Sequence, residues 1–268
     1  MSRCDEQHDS PWRQPWQSPW LLAEKVAVVV GGSGGIGSAI ARELDRAGCR
    51  VAVVGRAADK VEATVATLDH GAGYSGCDVR SAADIDRLFD NVIRDFAQVD
   101  LVINCAGIGR ASSARLLPDT TVNLAESEWD EVIETNLRGG FLVARRAARE
   151  MIPRRQGQIL NISSARGAIR GRPFAAAYCA AKMAGVAMFQ ALAEEVRPFG
   201  IRAWSLLPDA VDTELIAKTN LANRGSLVAE RFAEYVIDSL ALPADACWSE
   251  PLVAPLGGSI ELVKAETN

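Results

Sequence analysis

The sequence predicts an α/β fold: a doubly wound, seven-stranded parallel sheet flanked by helices. Two observations predict it. Short runs of β-branched and apolar residues recur along the chain, and a stretch with helical periodicity follows most of them. Strands that alternate with helices in this way imply a parallel sheet. A glycine run, Gly31-Gly32-Ser33-Gly34-Gly35-Ile36-Gly37, also stands between the first strand and the first helix. A run so placed makes a tight turn that a phosphate can approach.

The elements follow in order. Val26–Val30 reads as a strand buried on both faces. Ile36, Ile40, Leu44 and Ala47 keep helical spacing, and Gly48 stops that helix. Residues 51–54 make the second strand, with a helix over 58–69. Residues 74–79 give a third, weaker strand, with a helix over 82–97. Leu101–Asn104 is the fourth strand. A long helical segment covers 126–151, and 158–162 is the fifth strand. The helix that carries Tyr178 extends to Arg197 and ends at Pro198-Phe199-Gly200. Residues 201–207 make the sixth strand, and a seventh fits at 251–255. No second core is visible, so 23–268 reads as one domain. Residues 1–22 form a Pro/Trp-rich extension in which Pro11-Trp12, Pro15-Trp16 and Pro19-Trp20 repeat. Proline at that density forbids a regular helix.

Composition excludes several function classes. The 268 residues are 49% hydrophobic, enough for a large core, and the net charge is −5. An acidic chain with a pI near 5.3 is no candidate for nucleic-acid binding. No apolar run approaches the length of a membrane span, and no basic-then-apolar segment opens the chain. The six cysteines are scattered without a C-x-x-C pair, as in a cytoplasmic protein with reduced thiols. The two histidines, His8 and His70, lie far apart, so no metal site is expected.

Tyr178 and Lys182 stand at i and i+4 on one helix face, with Ser164 upstream. An ammonium beside a phenol favours the phenolate, which brings a group with a pKa of about 10 toward useful acid/base range. The glycine run reads in two registers, Gly32/Gly34/Gly37 or Gly31/Gly35/Gly37. In the second register the chain resembles the short-chain dehydrogenase/reductase (SDR) family, in its single-domain Rossmann-type form and near its 3-oxoacyl reductases. The likeness spans residues 25–213. Gly31, Ser33, Gly34, Gly35, Ile36 and Gly37 look like the family's cofactor loop. Asp78 and Val79 resemble its adenine-side contact, and Asn104, Ala106 and Gly107 its segment after strand four. Asn136, Ser164, Tyr178 and Lys182 match its catalytic tetrad. Pro208, Val211 and Thr213 match the segment over the nicotinamide.

The resemblance implies roles. Tyr178 exchanges a proton with a carbonyl or hydroxyl oxygen, Lys182 lowers its pKa, Ser164 holds the reacting oxygen, and Asn136 holds a water. The cofactor supplies the hydride. Residues 54–56, Val-Gly-Arg, place no carboxylate at the end of strand two, and Arg56 suits a ribose 2′-phosphate. NADP(H) is therefore favoured over NAD(H). The expected activity is reduction of a ketone, such as a 3-oxoacyl or specialised-metabolite substrate. The alternatives are NAD-dependent oxidation of a secondary alcohol or diol, and a non-catalytic dinucleotide sensor. The family also implies a homotetramer or homodimer acting on a small-molecule carbonyl or alcohol. Three features depart from it. Asp209 replaces the usual glycine after Pro208, and either shapes substrate choice or points to solvent. The 108–128 loop is long, with Arg110, Arg115, Leu116, Leu117 and Pro118. Residues 213–235, with Leu215, Ile216, Leu221, Leu227 and Phe232, read as a mobile cover.

Overall fold

Four valines and an alanine make up Val26–Val30, and all five side chains are buried in strand β1. A computed structural model gives the architecture and describes residues 22–111, 120–212, 227–242 and 251–254. After β1 come α1 (Gly35–Arg46), β2 (Arg50–Val54), α2 (Ala58–Val65), β3 (Gly71–Tyr74), α3 (Ala82–Phe96) and β4 (Leu101–Asn104). The second half holds α4 (Glu126–Ile133), a π-helical turn (Glu134–Arg138), α5 (Gly139–Met151) and β5 (Gly157–Ile162). A second π-helical turn (Arg166–Arg170), α6 (Ala176–Val196), β6 (Ile201–Pro208), α7 (Ala229–Leu240) and β7 (Leu252–Val253) complete it.

The seven strands run in the order β3-β2-β1-β4-β5-β6-β7, every pair parallel. Alternate strand residues feed two cores, as the two-residue period of a strand requires. Ala27, Val29, Val51, Val53 and Leu206 pack with Ile40 and Leu44 of α1 and Phe232 and Val236 of α7. Val26, Val28, Val30, Val102 and Ile159 pack on the other face with Phe89 of α3, Val143 of α5 and Phe189 of α6. Because β1 pairs with both β2 and β4, the winding reverses beside it. The carboxyl ends of β1 and β4 meet where Val30 is registered against Asn104. Ligands of open α/β sheets bind in the crevice at such a point.

The structure corrects several expectations. The third strand is not 74–79 but Gly71–Tyr74, registered on 51–54 of β2. Gly71, Ala72 and Gly73 carry no strand signal because α2 and its following turn leave no room for one. A Cβ at Gly73 would lie 2.8 Å from Val61, and one at Gly71 would lie 2.7 Å from Leu68. The α2 helix also ends earlier than 69. The 126–151 helix is interrupted by its π-turn. The Ala176–Phe199 stretch, α6 plus one 3-10 turn, is 24 residues long and apolar enough to cross a membrane on length and composition. It packs here along β6 and the second π-turn, with Ala177, Ala181, Gly185 and Phe189 buried. Residues 1–21 of the extension lie outside the described residues, as do Thr213, Arg115 to Pro118, Leu215, Ile216 and Leu221, while Leu22 is buried in the core with α1.

Candidate active site

The carboxyl ends of β1, β4, β5 and β6 bring the predicted residues to one edge of the sheet. Gly31 ends β1 with φ of 79°, a conformation that favours glycine. A Cβ there would lie 2.8 Å from the Ala106 amide nitrogen, so the turn presses against the segment after β4. A Cβ at Gly37 would collide with the Gly31 carbonyl oxygen. Gly37 serves both registers, while the positive φ of Gly31 and the ordinary 3.4 Å contact that a Cβ at Gly34 would make favour the Gly31/Gly35/Gly37 register. Helix α1 then starts at Gly35 with no side-chain cap on its N-terminus and no acid in its first turn. Its first N–H groups and the positive end of its dipole therefore face outward beside exposed Gly34 and Gly35. That cradle fits a dinucleotide pyrophosphate.

The residues expected on the adenosine side lie at the end of β2 and in the segment after β3. Gly55 follows β2, and Ser33 Oγ occupies the space where a side chain at Gly55 would begin. Arg56 beside it is exposed. Asp78 is held by the Arg80 side chain at 2.6 and 3.0 Å, and its amide donates to Asp84 at 3.0 Å. The Arg80 guanidinium holds the Asp78 carboxyl below the usual carboxylate range. Val79 is buried against Gly139. Ile36 packs on the α1–α7 core, and so does the buried Val211. Pro208 ends β6, registered against Val253 of β7.

Asn104, Asn161 and Ser205 make a buried side-chain ladder across β4, β5 and β6. Asn104 donates to Asn161 at 3.2 Å, and Asn161 donates to Ser205 at 3.2 Å. The ladder fixes the strand ends just behind the tetrad. Asn136 sits in the first π-turn, which rotates its amide out of the helix ladder. That amide accepts from Ile108 N at 3.1 Å and donates to the Ile108 and Val132 carbonyls at 2.9 Å. Gly107 lies between Asn136 and Lys182, where a Cβ would meet the Asn136 amide oxygen and lie 3.5 Å from Lys182 Nζ.

Lys182 Nζ donates to the Ile162 carbonyl at 3.0 Å and lies 5.7 Å from the centroid of the Tyr178 ring. Ser164 Oγ accepts from the Gly167 amide at 3.1 Å and hydrogen-bonds the Tyr178 side chain. Gly167 has to be glycine, because a Cβ there would lie 2.7 Å from the Tyr178 ring. Burial dominates the electrostatics. It pushes Tyr178 above the ordinary phenol value, against the Ser164 hydroxyl and the Arg172 guanidinium. It pushes Lys182 down to about 8. Ser164 and Arg172 act in the opposite sense, toward the phenolate, and the Lys182 ammonium stands 5.7 Å from the ring centroid. Ser163 instead donates to the Lys182 carbonyl at 3.1 Å.

A shallow cleft opens in front of Tyr178. Leu124, Val132 and Phe174 give it an apolar wall, while Arg110 and Glu128 add polar groups. Phe174 adopts φ of 60°, which is unusual for an aromatic residue. Asp209 does not point to solvent. Its side chain is only 3% exposed and meets Arg166 Nε at 2.6 Å and Arg170 at 3.9 Å. Gly167, Arg172, Ile108 and the Arg166–Asp209 pair escaped the sequence reading. Each acts through a partner that is remote in sequence or through its backbone, and Asp209 alone left a trace, as a departure from the family pattern.

The sequence matches the family model described as short chain dehydrogenase over residues 25–224. An uncharacterized oxidoreductase of Staphylococcus epidermidis is 31% identical over 235 residues, covering 88% of this chain and 99% of that protein. One from Staphylococcus aureus is 30% identical over 237 residues, with coverage of 88% and 99%. Among solved structures, a 3-ketoacyl-(acyl-carrier-protein) reductase from Brucella melitensis, complexed with NADH, has a TM-score of 0.79 and 28% identity, covering 87% of this chain and 97% of that one. The structure of gox2181 has a TM-score of 0.78 and 25% identity, covering 89% and 97%.

Proposed function

The chain belongs to the short-chain dehydrogenase family and is an NAD(P)-dependent oxidoreductase, and from that premise we propose that it reduces a ketone with NADPH, Tyr178 Oη giving the proton. One observation carries this reading. Tyr178 lines the mouth of the cleft beside Ser164, and burial favours its neutral phenol over the phenolate. A protonated tyrosine suits donation to a carbonyl oxygen better than removal of a proton from an alcohol.

When bound, the nicotinamide supplies the hydride. The glycine loop and the α1 N-terminus hold the pyrophosphate. Ser164 Oγ holds the carbonyl oxygen as charge develops on it. Tyr178 Oη then gives up its proton, and Lys182 Nζ, pushed down to about 8, exchanges protons readily enough near neutral pH to replace it. Asn136, pinned to Ile108, fixes the wall beside Lys182. The apolar side of the cleft suits a ketone with a hydrocarbon substituent, a 3-oxoacyl group or a specialised metabolite. The same proposal includes the family's dimeric or tetrameric assembly. Phe141 of α5 and Met183 of α6 are large apolar side chains left 42% and 51% exposed.

The preference for NADPH is supported by exposed Arg56 at the end of β2 and by Ser33 beside Gly55, where no carboxylate stands. The NADH complex of the Brucella reductase favours the second reading, an NAD-dependent enzyme. Titrating both cofactors decides between them. Arg56→Ala is expected to weaken NADPH binding about 10-fold or more, as for loss of one charged hydrogen bond, and to leave NADH unchanged. Tyr178→Phe is expected to lower ketone turnover by about 100-fold or more. NADPH affinity untouched by Arg56→Ala, or turnover untouched by Tyr178→Phe, would sink the corresponding half.

A further inference from the structure

We propose that the Arg166–Asp209 ion pair, backed by Arg170, is a positioning device for the proton-transfer pair Ser164 and Tyr178. The proposal rests on Tyr178 being the proton donor. The chain of contacts is short and continuous. Asp209 lies just past β6, and its amide donates to the Val253 carbonyl of β7 at 2.8 Å. Its carboxylate receives Arg166 Nε at 2.6 Å and faces Arg170 at 3.9 Å. Both arginines belong to the second π-turn, which begins two residues after Ser164. That turn is wound onto Ser164 itself. The Ala168 amide donates to the Ser164 carbonyl at 2.8 Å, and the Gly167 amide donates to Ser164 Oγ at 3.1 Å. Ser164 is thereby oriented toward Tyr178, and Gly167 sets how closely the tyrosine ring can approach.

The ion pair is committed to this geometry. The Asp209 side chain is 3% exposed, and a buried carboxylate that loses its partner is left uncompensated. The short contact from Nε has the length of a charge-assisted hydrogen bond, which fixes direction as well as distance. Arg166 and Arg170 remain 39% and 48% exposed, so the turn reaches the surface and the buried end of each contact is the acid. The latch spans β5, β6 and β7 at the end of the sheet where the tetrad stands. A glycine at 209, the residue usual in the family, has no side chain with which to make it.

The test reads Tyr178 directly and needs no known substrate. The chain has three tyrosines, so protein labelled with carbon-13 at tyrosine Cζ gives three resonances, and Tyr178→Phe assigns one. Asp209→Asn and Arg166→Gln are expected to move the Tyr178 resonance in the direction that Ser164→Ala moves it, while Tyr74 and Tyr235 stay in place. Arg166→Lys, which keeps the charge but loses the fixed fork, is expected to fall between Arg166→Gln and wild type. With NADPH and ethyl 3-oxobutanoate as the probe ketone, kcat is expected to fall about 10-fold with KM changed far less, as for a misplaced reacting group. If the Tyr178 resonance stays at its wild-type position in folded Asp209→Asn while the melting temperature drops, the pair is only structural and the proposal fails. Should Asp209→Asn not fold, Arg166→Gln and the outer variant Arg170→Gln carry the same comparison. Wild type that leaves the ketone untouched would count against the proposed reaction, and the resonances would still decide the latch.

Discussion

Lys182 is the residue whose charge is most at odds with its surroundings. Burial pushes its ammonium from an ordinary 10.5 down to about 8. Below pH 8 it is charged in the folded and unfolded chains alike, and the folded state bears the full penalty; above pH 10.5 it is neutral in both and there is none. Between those limits the unfolded chain holds a proton that the folded chain has released, so this residue makes stability rise with pH. Lys182→Met removes that dependence. Urea unfolding of both proteins from pH 7.5 to 10.5 is expected to show the variant's stability, relative to wild type, falling steadily across the window. A constant difference would mean that Lys182 is not strained by burial. The Tyr178–Lys182 spacing was plain in the sequence, because four residues on a helix define a face. The electrostatic order of the pair was not, because it depends on how much water the surrounding strands exclude.

Among the elements, the turn from β1 to α1 is the least tolerant. Gly37→Ala would drive a methyl group into the Gly31 carbonyl, a backbone atom that cannot swing aside. Such overpacking costs about 1–3 kcal/mol and would open the cofactor cradle. Gly34→Ala meets the same carbonyl only at 3.4 Å, an ordinary contact at an exposed position, and should stay within about 0.5 kcal/mol of wild type. Urea unfolding together with NADPH titration separates them; equal effects would refute the assigned register. Strands such as β1 and β4 were legible because buried parallel strands are spelled in valine, isoleucine and leucine. Strand β3 was not, since α2 demands small residues there. The π-turns were hidden because one inserted residue barely disturbs helical periodicity. The partner of Asp209 was hidden because Arg166 lies 43 residues away and meets it only once β5 and β6 have paired.

Across the whole molecule, burial also sets the alkaline limit. It raises the thiols of Cys49 and Cys105 to about 12 and that of Cys77 to about 11, from an ordinary 9.0. Folded-state thiols that resist ionisation contribute stability that is complete below pH 9 and is lost as pH rises toward 11–12. Three such groups outweigh one lysine working in the opposite sense. The melting temperature is expected to fall steadily from pH 9 to 11, and less so when the three cysteines are replaced by alanine; a flat profile in wild type would contradict this. The contact between Gly31 and Ala106 has a different kind of consequence, one of order in time. During synthesis the glycine loop emerges long before the strand that forms its floor. A nascent chain that stops short of β4 has the motif without the backbone it closes against, so the loop reaches its final packing only once the strand that carries Ala106 has joined the sheet.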